Sequence, residues 1–349
     1  MTDHPPAQQQ TFKRNAHINY FLRCLRALPT AAQSSDSNRI TAAYFCLSAL
    51  DLLDALFEKT TPEQRSGWIE WIWSLQSGKY ATKGGFRGST FMTTSNEDTS
   101  PSHLPSTYTA LLSLAILRAP LDRLNVPGLV SFLRSCQASD GSFSPLPGDD
   151  VYPSEGFQSD ARMVYIASVI SSIIGDLSGI DVTRACTFIQ RCQTWEGAYA
   201  SRPGVVEAQG GTTYCAVAAV SLLNGSIVAE DATLRWLIGR QLGGFQGRPG
   251  KLEDVCYSFW CGAAISILDH DVINREADRS FLLSAQSPLG GFGKEPEDYP
   301  DPFHSYLALA ALSLSHSQSE LKPLDARWNI SVETKEWLVR EFGRTKHIQ

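Results

Sequence analysis

Two apolar patterns alternate along the chain. In one, apolar residues recur three or four positions apart among charges: PEQRSGWIEWIWSLQ, DVTRACTFIQRCQ, AEDATLRWLIGRQ, NREADRSFLLSAQ and, near the C-terminus, SVETKEWLVREFGR. That spacing predicts amphipathic helices with one face on a core. In the other, apolar and small residues run all round: RITAAYFCLSALDLL, STYTALLSLAIL, DARMVYIASVISSII, TTYCAVAAVSLL, VCYSFWCGAAISIL and FHSYLALAALSL. A helix apolar on every side is buried on every side. Their Ala, Ser, Gly and Cys residues allow close packing.

Five similar corners join the two patterns, each with a Gln, a Gly and then an aromatic residue. The pairs are Gln76/Phe86, Gln137/Phe143, Gln193/Tyr199, Gln241/Phe245 and Gln286/Phe292. A period of about 45–60 residues marks a repeated supersecondary unit. The pattern predicts an all-α protein, an α/α toroid of about six inner and six outer helices. The rival, an open solenoid, exposes one face of its inner layer. No β pattern stands out beyond the corners. Residues 1–12 read as a flexible N-terminal segment and 13–349 as one domain of helix-pair repeats. The stretches 93–106 and 145–156 read as loops within it.

Composition narrows the function classes. A net charge of −6 over 349 residues argues against a general nucleic-acid binder. The first fifteen residues, MTDHPPAQQQTFKRN, have no apolar core, so no secretory signal is expected. No apolar stretch is long enough to span a bilayer. The eight cysteines show no tight framework and read as reduced thiols, mostly core filling, in a cytoplasmic protein.

The unusual polar residues stand where inner helices begin. Asp160 and Arg162 precede MVYIAS; Gln209, Gly210 and Gly211 precede TTYCAVAA; Arg248, Lys251, Asp254 and Cys256 precede YSFWCG; Lys294, Asp301 and His304 precede SYLALAAL. In a toroid these positions share one rim. Helix N-termini suit an anion, and Arg248, Lys251 and Lys294 add positive charge. Asp254, Cys256 and His304 form a three-ligand zinc set with a fourth position open. Positions two apart on a helix point to opposite sides, so Asp254 and Cys256 share an ion only if Asp254 lies on the preceding loop. Pro249 and Gly250 permit that. The alternative stays open: Asp as helix cap, Cys as core, His as cap or surface.

The motif GRPGKLEDVCYSFW, with the later GGF and DPFHSYLALAALSL, resembles the β subunits of the protein prenyltransferases. The likeness runs over nearly the whole chain. It implies one Zn2+ per subunit, held by Asp254, Cys256 and His304. It implies that Arg248, Lys251 and Tyr257 hold an isoprenoid diphosphate, with Gln209 standing where the family usually has His before Gly210 and Gly211. An amide donates a hydrogen bond but carries no charge. Three features resemble the type I geranylgeranyl branch. The N-terminal helix and GGFRGS are similar. Thr41 replaces a Trp that shortens the farnesyl pocket. Lys294 replaces an Asp that supports magnesium, so Mg2+ is not expected to be required. The isoprenoid is expected along Thr41, Phe45, Tyr165, Cys215, Trp260 and Phe303, with Arg162 lining the lipid and peptide site.

The implied activity is thioether formation, transferring geranylgeranyl from geranylgeranyl diphosphate to the Cys of C-terminal CaaX tails on Rho-like small GTPases. The implied partner is a prenyltransferase α subunit in an obligate heterodimer. Trp68, Trp71 and Trp73 are candidates for that contact or for outer-layer core. The alternatives are a farnesyl or Rab-type β subunit, a terpene cyclase, a toroidal glycosidase using Asp160, Asp254 and Asp301, and a non-catalytic scaffold. The cyclase lacks its D-x-D-D motif.

Overall fold

A computed structural model describes residues 11–77, 84–90, 102–147, 159–315 and 320–346. Residues 1–10 and most of the two segments read as internal loops lie outside the described residues. In chain order the helices are α1 (Arg14–Arg26), α2 (Arg39–Leu52), the single turn α3 (Leu56–Lys59), α4 (Pro62–Ser74), α5 (Leu104–Ile116), α6 (Val126–Cys136) and α7 (Ala161–Ile174). They continue with α8 (Val182–Arg191), α9 (Gly210–Leu222), α10 (Glu230–Ile238), α11 (Val255–Ile267), α12 (Arg275–Ser284), α13 (Pro302–Ser315) and α14 (Val332–Lys346).

The helices apolar all round make a closed inner ring. α2 packs on α5, α5 on α7, α7 on α9, α9 on α11, α11 on α13, and α13 back on α2. The amphipathic helices α1, α4, α6, α8, α10 and α12 each cover the inner helix that follows. Four of the outer helices, α4, α6, α8 and α12, begin at side-chain caps. Thr61 and Gln64 form a capping box, and Asn125, Asp181 and Asn274 each accept a backbone N–H.

The corners differ in length but share one bridge and one side-chain contact. In all five, Gln and aromatic pair in an isolated antiparallel bridge, and the aromatic is buried. The Gln amide then reaches the backbone leading into the next outer helix. Gln76 Nε2 donates to the Arg123 carbonyl, Gln137 Nε2 to Asp181, Gln193 Nε2 to Val228 and Gln241 Nε2 to Asn274. The fifth makes the same contact across the ends of the chain. Gln286 Nε2 donates to Thr11 O at 3.1 Å, and its Oε1 accepts from Lys13 N at 2.7 Å. The toroid therefore closes with the device that spaces its repeats.

His17 backs this closure. It stacks between Phe12 and Phe292, its Nε2 lies 2.9 Å from Gln286 Oε1, and its Nδ1 accepts from Gly291 N. Burial lowers its pKa to about 4, so it is neutral here. Gly290 sits at φ +90° against Ala16, whose carbonyl oxygen a Cβ would meet at 2.0 Å.

One end of the barrel is filled by the C-terminal segment. A two-stranded antiparallel hairpin, β1 (Leu324–Asp325) and β2 (Ile330–Ser331), carries the turn that meets a girdle of inner-helix tyrosines. Tyr44 and Tyr306 donate to the Asn329 carbonyl, Tyr108 to Trp328 and Tyr214 to Ala326. Buried Asp51 accepts from Ser331, Thr334 and Lys322, tying the segment to α2.

Two sequence readings are corrected here. Strands of two residues are too short to leave a pattern, and the hairpin has no signature in the sequence. The last amphipathic segment, read as an outer helix, is α14, which packs on α5, α7 and the hairpin instead. Trp73 is core, at 4% exposure, and Trp68 and Trp71 are half-buried against the core. No described helix is long and apolar enough to cross a membrane.

Candidate active site

The end opposite the hairpin is where the inner helices begin, and their N-caps carry the chemistry. Asp254 is the N-cap of α11, with extended backbone, and its Oδ1 accepts from Cys256 N at 2.9 Å. It thus lies off the helix, as sharing an ion with Cys256 requires. Ligand atoms of Asp254, Cys256 and His304 all lie within 4.8 Å of one another. His304 Nε2 is 3.7 Å from Asp254 Oδ1, and its Nδ1 is 2.5 Å from Asp301 Oδ2. Asp301 also accepts from the backbone N–H of Phe303 and His304. Burial opposes the charge on Asp301, but these hydrogen bonds hold its carboxyl below the ordinary carboxylate range.

The donor set fits a divalent cation. Cys256 and Asp254 are 6% and 8% exposed. Burial, and then the charge of Asp254, push the Cys256 thiol far up. Without a cation this corner resists a second negative charge; a zinc ion would be held by a carboxylate, a thiolate and an imidazole with one position left open. Asp301 fixes the tautomer that leaves Nε2 to a metal.

Next to these ligands lies a set of hydrogen-bond donors. Gln209, the N-cap of α9, donates from Nε2 to Tyr257 Oη at 2.7 Å, leaving the Tyr257 O–H free to donate. Burial and the neighbouring Cys256 and Asp254 keep that phenol protonated. Gly210 N donates to Gly247 O, and Val255 N to Lys294 O, so the loops carrying Arg248 and Lys294 are stitched to the helix starts. A Cβ on Gly210 would meet Cys261 Sγ at 2.8 Å, which explains the small residue. Gly211 has more room, its nearest neighbour being the Gln209 side chain at 3.2 Å. Arg248 is ion-paired with Glu207. Lys251 and Lys294 are exposed and have no carboxylate partner among the described residues.

Residues 12–330 match the profile of the prenyltransferase alpha-alpha toroid domain. The geranylgeranyl transferase type-1 subunit beta of Arabidopsis thaliana is 34% identical over 347 residues, covering 92% of this chain and 90% of the relative. The chain belongs to the protein geranylgeranyltransferase type I β-subunit family. The Dictyostelium discoideum protein of the same name is 35% identical over 329 residues, 86% of this chain and 90% of its own. A solved structure, Candida albicans protein geranylgeranyltransferase-I complexed with GGPP, superposes with a TM-score of 0.85 at 30% identity, over 95% of this chain and 99% of that one.

In this prenyltransferase subunit the lumen below the ligand trio is aromatic. Phe45 lies 5.5 Å from Phe303, Phe303 6.5 Å from Trp260, Trp260 5.1 Å from Tyr214, and Tyr214 5.2 Å from Tyr165. Thr41 sits one turn before Phe45, and its Oγ1 donates to Asn38 at 2.8 Å. Tyr165 belongs to the tyrosine girdle, its hydroxyl 2.9 Å from that of Tyr214. Arg162 is clamped by Asp160, its Nη2 2.5 Å from Oδ2, with buried Cys215 nearby. Three partners escaped sequence reasoning: Asp301 as the orienter of His304, Glu207 on Arg248, and Asn38 on Thr41. Only the first left a signal, an acid at an N-cap three residues before a histidine.

Proposed function

We propose that this chain is the catalytic β subunit of a zinc-dependent protein geranylgeranyltransferase type I, joining geranylgeranyl from its diphosphate to the Cys of a C-terminal CaaX tail. The observation that carries this is the Asp254, Cys256 and His304 cluster at the open end of an aromatic-lined lumen, in a chain of this family. A bound zinc ion supplies the positive charge that makes an acceptor thiol acidic at neutral pH.

The chain's own groups do the rest. Arg248, Lys251 and Lys294 place positive charge where the diphosphate leaves, and Tyr257 and Gln209 offer donors to its oxygens. Phe45, Trp260 and Phe303 exclude water along the isoprenoid, and Thr41 leaves depth for the longer chain. Arg162, fixed by Asp160, borders the lipid and peptide side.

The rim exposes Trp195, Leu252 and Tyr299 at 85%, 78% and 95%. Such apolar side chains around a site mouth support a second subunit there, of the prenyltransferase α kind. Rho-like small GTPases, with tails ending in Leu or Phe, are the proposed acceptors.

The test is co-expression with a prenyltransferase α subunit, metal analysis, and transfer assays with geranylgeranyl and farnesyl diphosphates on a Leu-ending tail peptide. The proposal expects one zinc per heterodimer and faster transfer of the longer lipid. If Cys256→Ser keeps both bound zinc and transfer, the assignment of the site is wrong.

A further inference from the structure

The corner that precedes α11 is built differently from its neighbours. In three of the other corners the Gln and the aromatic stand six positions apart, as Gln137/Phe143, Gln193/Tyr199 and Gln286/Phe292; Gln241 and Phe245 are four apart. The longer turns close on themselves. Gly141 N donates to Ala138 O, Gly197 N to Thr194 O and Gly290 N to Ser287 O. In the short turn the N–H groups of Gly243 and Gly244 find their acceptor outside it. Both donate to one oxygen, Glu253 Oε1, at 2.7 and 2.6 Å. Hydrogen bonds to an ionised carboxylate are about twice as strong as neutral ones.

Glu253 is the residue before Asp254. Its backbone pairs with Gln246 in a second isolated antiparallel bridge, which no other corner has among the described residues. Asp254 N donates to Phe245 O at 3.1 Å, and Gln246 Nε2 to Lys251 O at 2.7 Å. Residues 251–254 are therefore fastened to the short corner by backbone and side chain together. This segment brings Asp254 to α11 in the extended conformation that keeps it off the helix. Glu253 itself stands outside the cluster of Asp254, Cys256 and His304.

We propose that Glu253 is a positioning residue for the metal site. Its carboxylate locks the shortened corner onto residues 251–254 and so fixes the Asp254 carboxylate where it shares an ion with Cys256 and His304. A metal site needs its ligands held to within about 0.5 Å, and a loop supplies that only when it is itself tied down. The proposal rests on the reading of those three residues as zinc ligands.

The test uses the full-length chain co-expressed with a prenyltransferase α subunit, stripped of metal and reloaded. Chelator competition reads zinc affinity, and the visible absorption of the cobalt(II) form reads ligand geometry. Glu253→Ala should weaken zinc binding about tenfold or more and alter the cobalt bands. Glu253→Gln keeps an oxygen for the two N–H groups without the charge, and should stay within about threefold of the unaltered protein. Gln193→Ala breaks the matching contact of another corner, to Val228 O, and should leave both readouts unchanged. Should Glu253→Ala fail to assemble, Glu253→Asp, whose carboxylate stops one carbon short of the glycines, carries the same expectation of weakened zinc. Unchanged zinc affinity on removal of the carboxylate overturns the proposal. Equal weakening in the Gln and Ala variants also overturns it, because the charge and not the hydrogen bonds would then be responsible. An equal loss in Gln193→Ala does so too, because any broken corner would then suffice. An unaltered protein that binds no zinc rejects the ligand assignment itself, and this role with it; zinc bound alike with and without Glu253 rejects only the role.

Discussion

Asp301 holds His304 by its Nδ1 at 2.5 Å and so turns Nε2 toward Asp254 and Cys256. The acid is no ligand in this arrangement; it orients one. Asp301→Ala should weaken zinc binding roughly 10- to 100-fold while leaving helix content unchanged. Competition with a zinc chelator reads the affinity, and an unaltered affinity would show that the ring is held by packing alone.

Gln209 puts an uncharged donor beside Tyr257. Gln209→His introduces a group that gains charge below about pH 6.5. The ratio of variant to wild-type kcat/KM for the diphosphate donor should therefore rise as pH falls through that range. A flat ratio means position 209 does not touch the diphosphate.

Thr41 is small and stands on the lumen face of α2, one turn from Phe45. On the proposed reading of the pocket, an indole at this position would fill the space of the last isoprene unit, so Thr41→Trp should shift donor preference toward farnesyl diphosphate by about tenfold or more. Competing the two donors in one assay measures the shift, and unchanged preference would place the pocket floor elsewhere.

Lys294 offers an exposed ammonium at the rim, with no carboxylate partner among the described residues. Turnover should not respond to removal of magnesium when zinc is kept. Lys294→Ala should lower kcat by roughly 10²- to 10³-fold if the lysine acts as a preorganised donor, and magnesium should restore part of the loss. Strong magnesium stimulation of the unaltered enzyme would reject this role.

His17 makes ring closure sensitive to acid. Its folded pKa of about 4 lies below the ordinary 6.5, so only the unfolded chain takes up this proton between those values. Stability should fall as pH drops from about 6.5 to about 4, by about 1.4 kcal/mol per unit from this group. His17→Asn should flatten that part of the profile in denaturant titrations at a series of pH values. An identical slope in both proteins would assign the acid sensitivity to other groups.

Much of the architecture could be read from the chain alone, because it rests on local chemistry. A helix apolar all round has nowhere to go but an inner layer, and Gln76/Phe86 or Gln241/Phe245 recur because each corner solves the same turn. The ligand types were legible for the same reason: Asp254 and Cys256 are neighbours, and Pro249 and Gly250 announce the loop before them. Other features belong to the folded chain. His304 meets Asp254, and Gln286 meets Thr11 and Lys13, only because six helix pairs curve until the last touches the first. Glu207 reaches Arg248 across two loops that no sequence pattern pairs. Periodicity encodes burial residue by residue; the pairing of distant residues is set by how packed helices close on one another, and no local pattern carries that information.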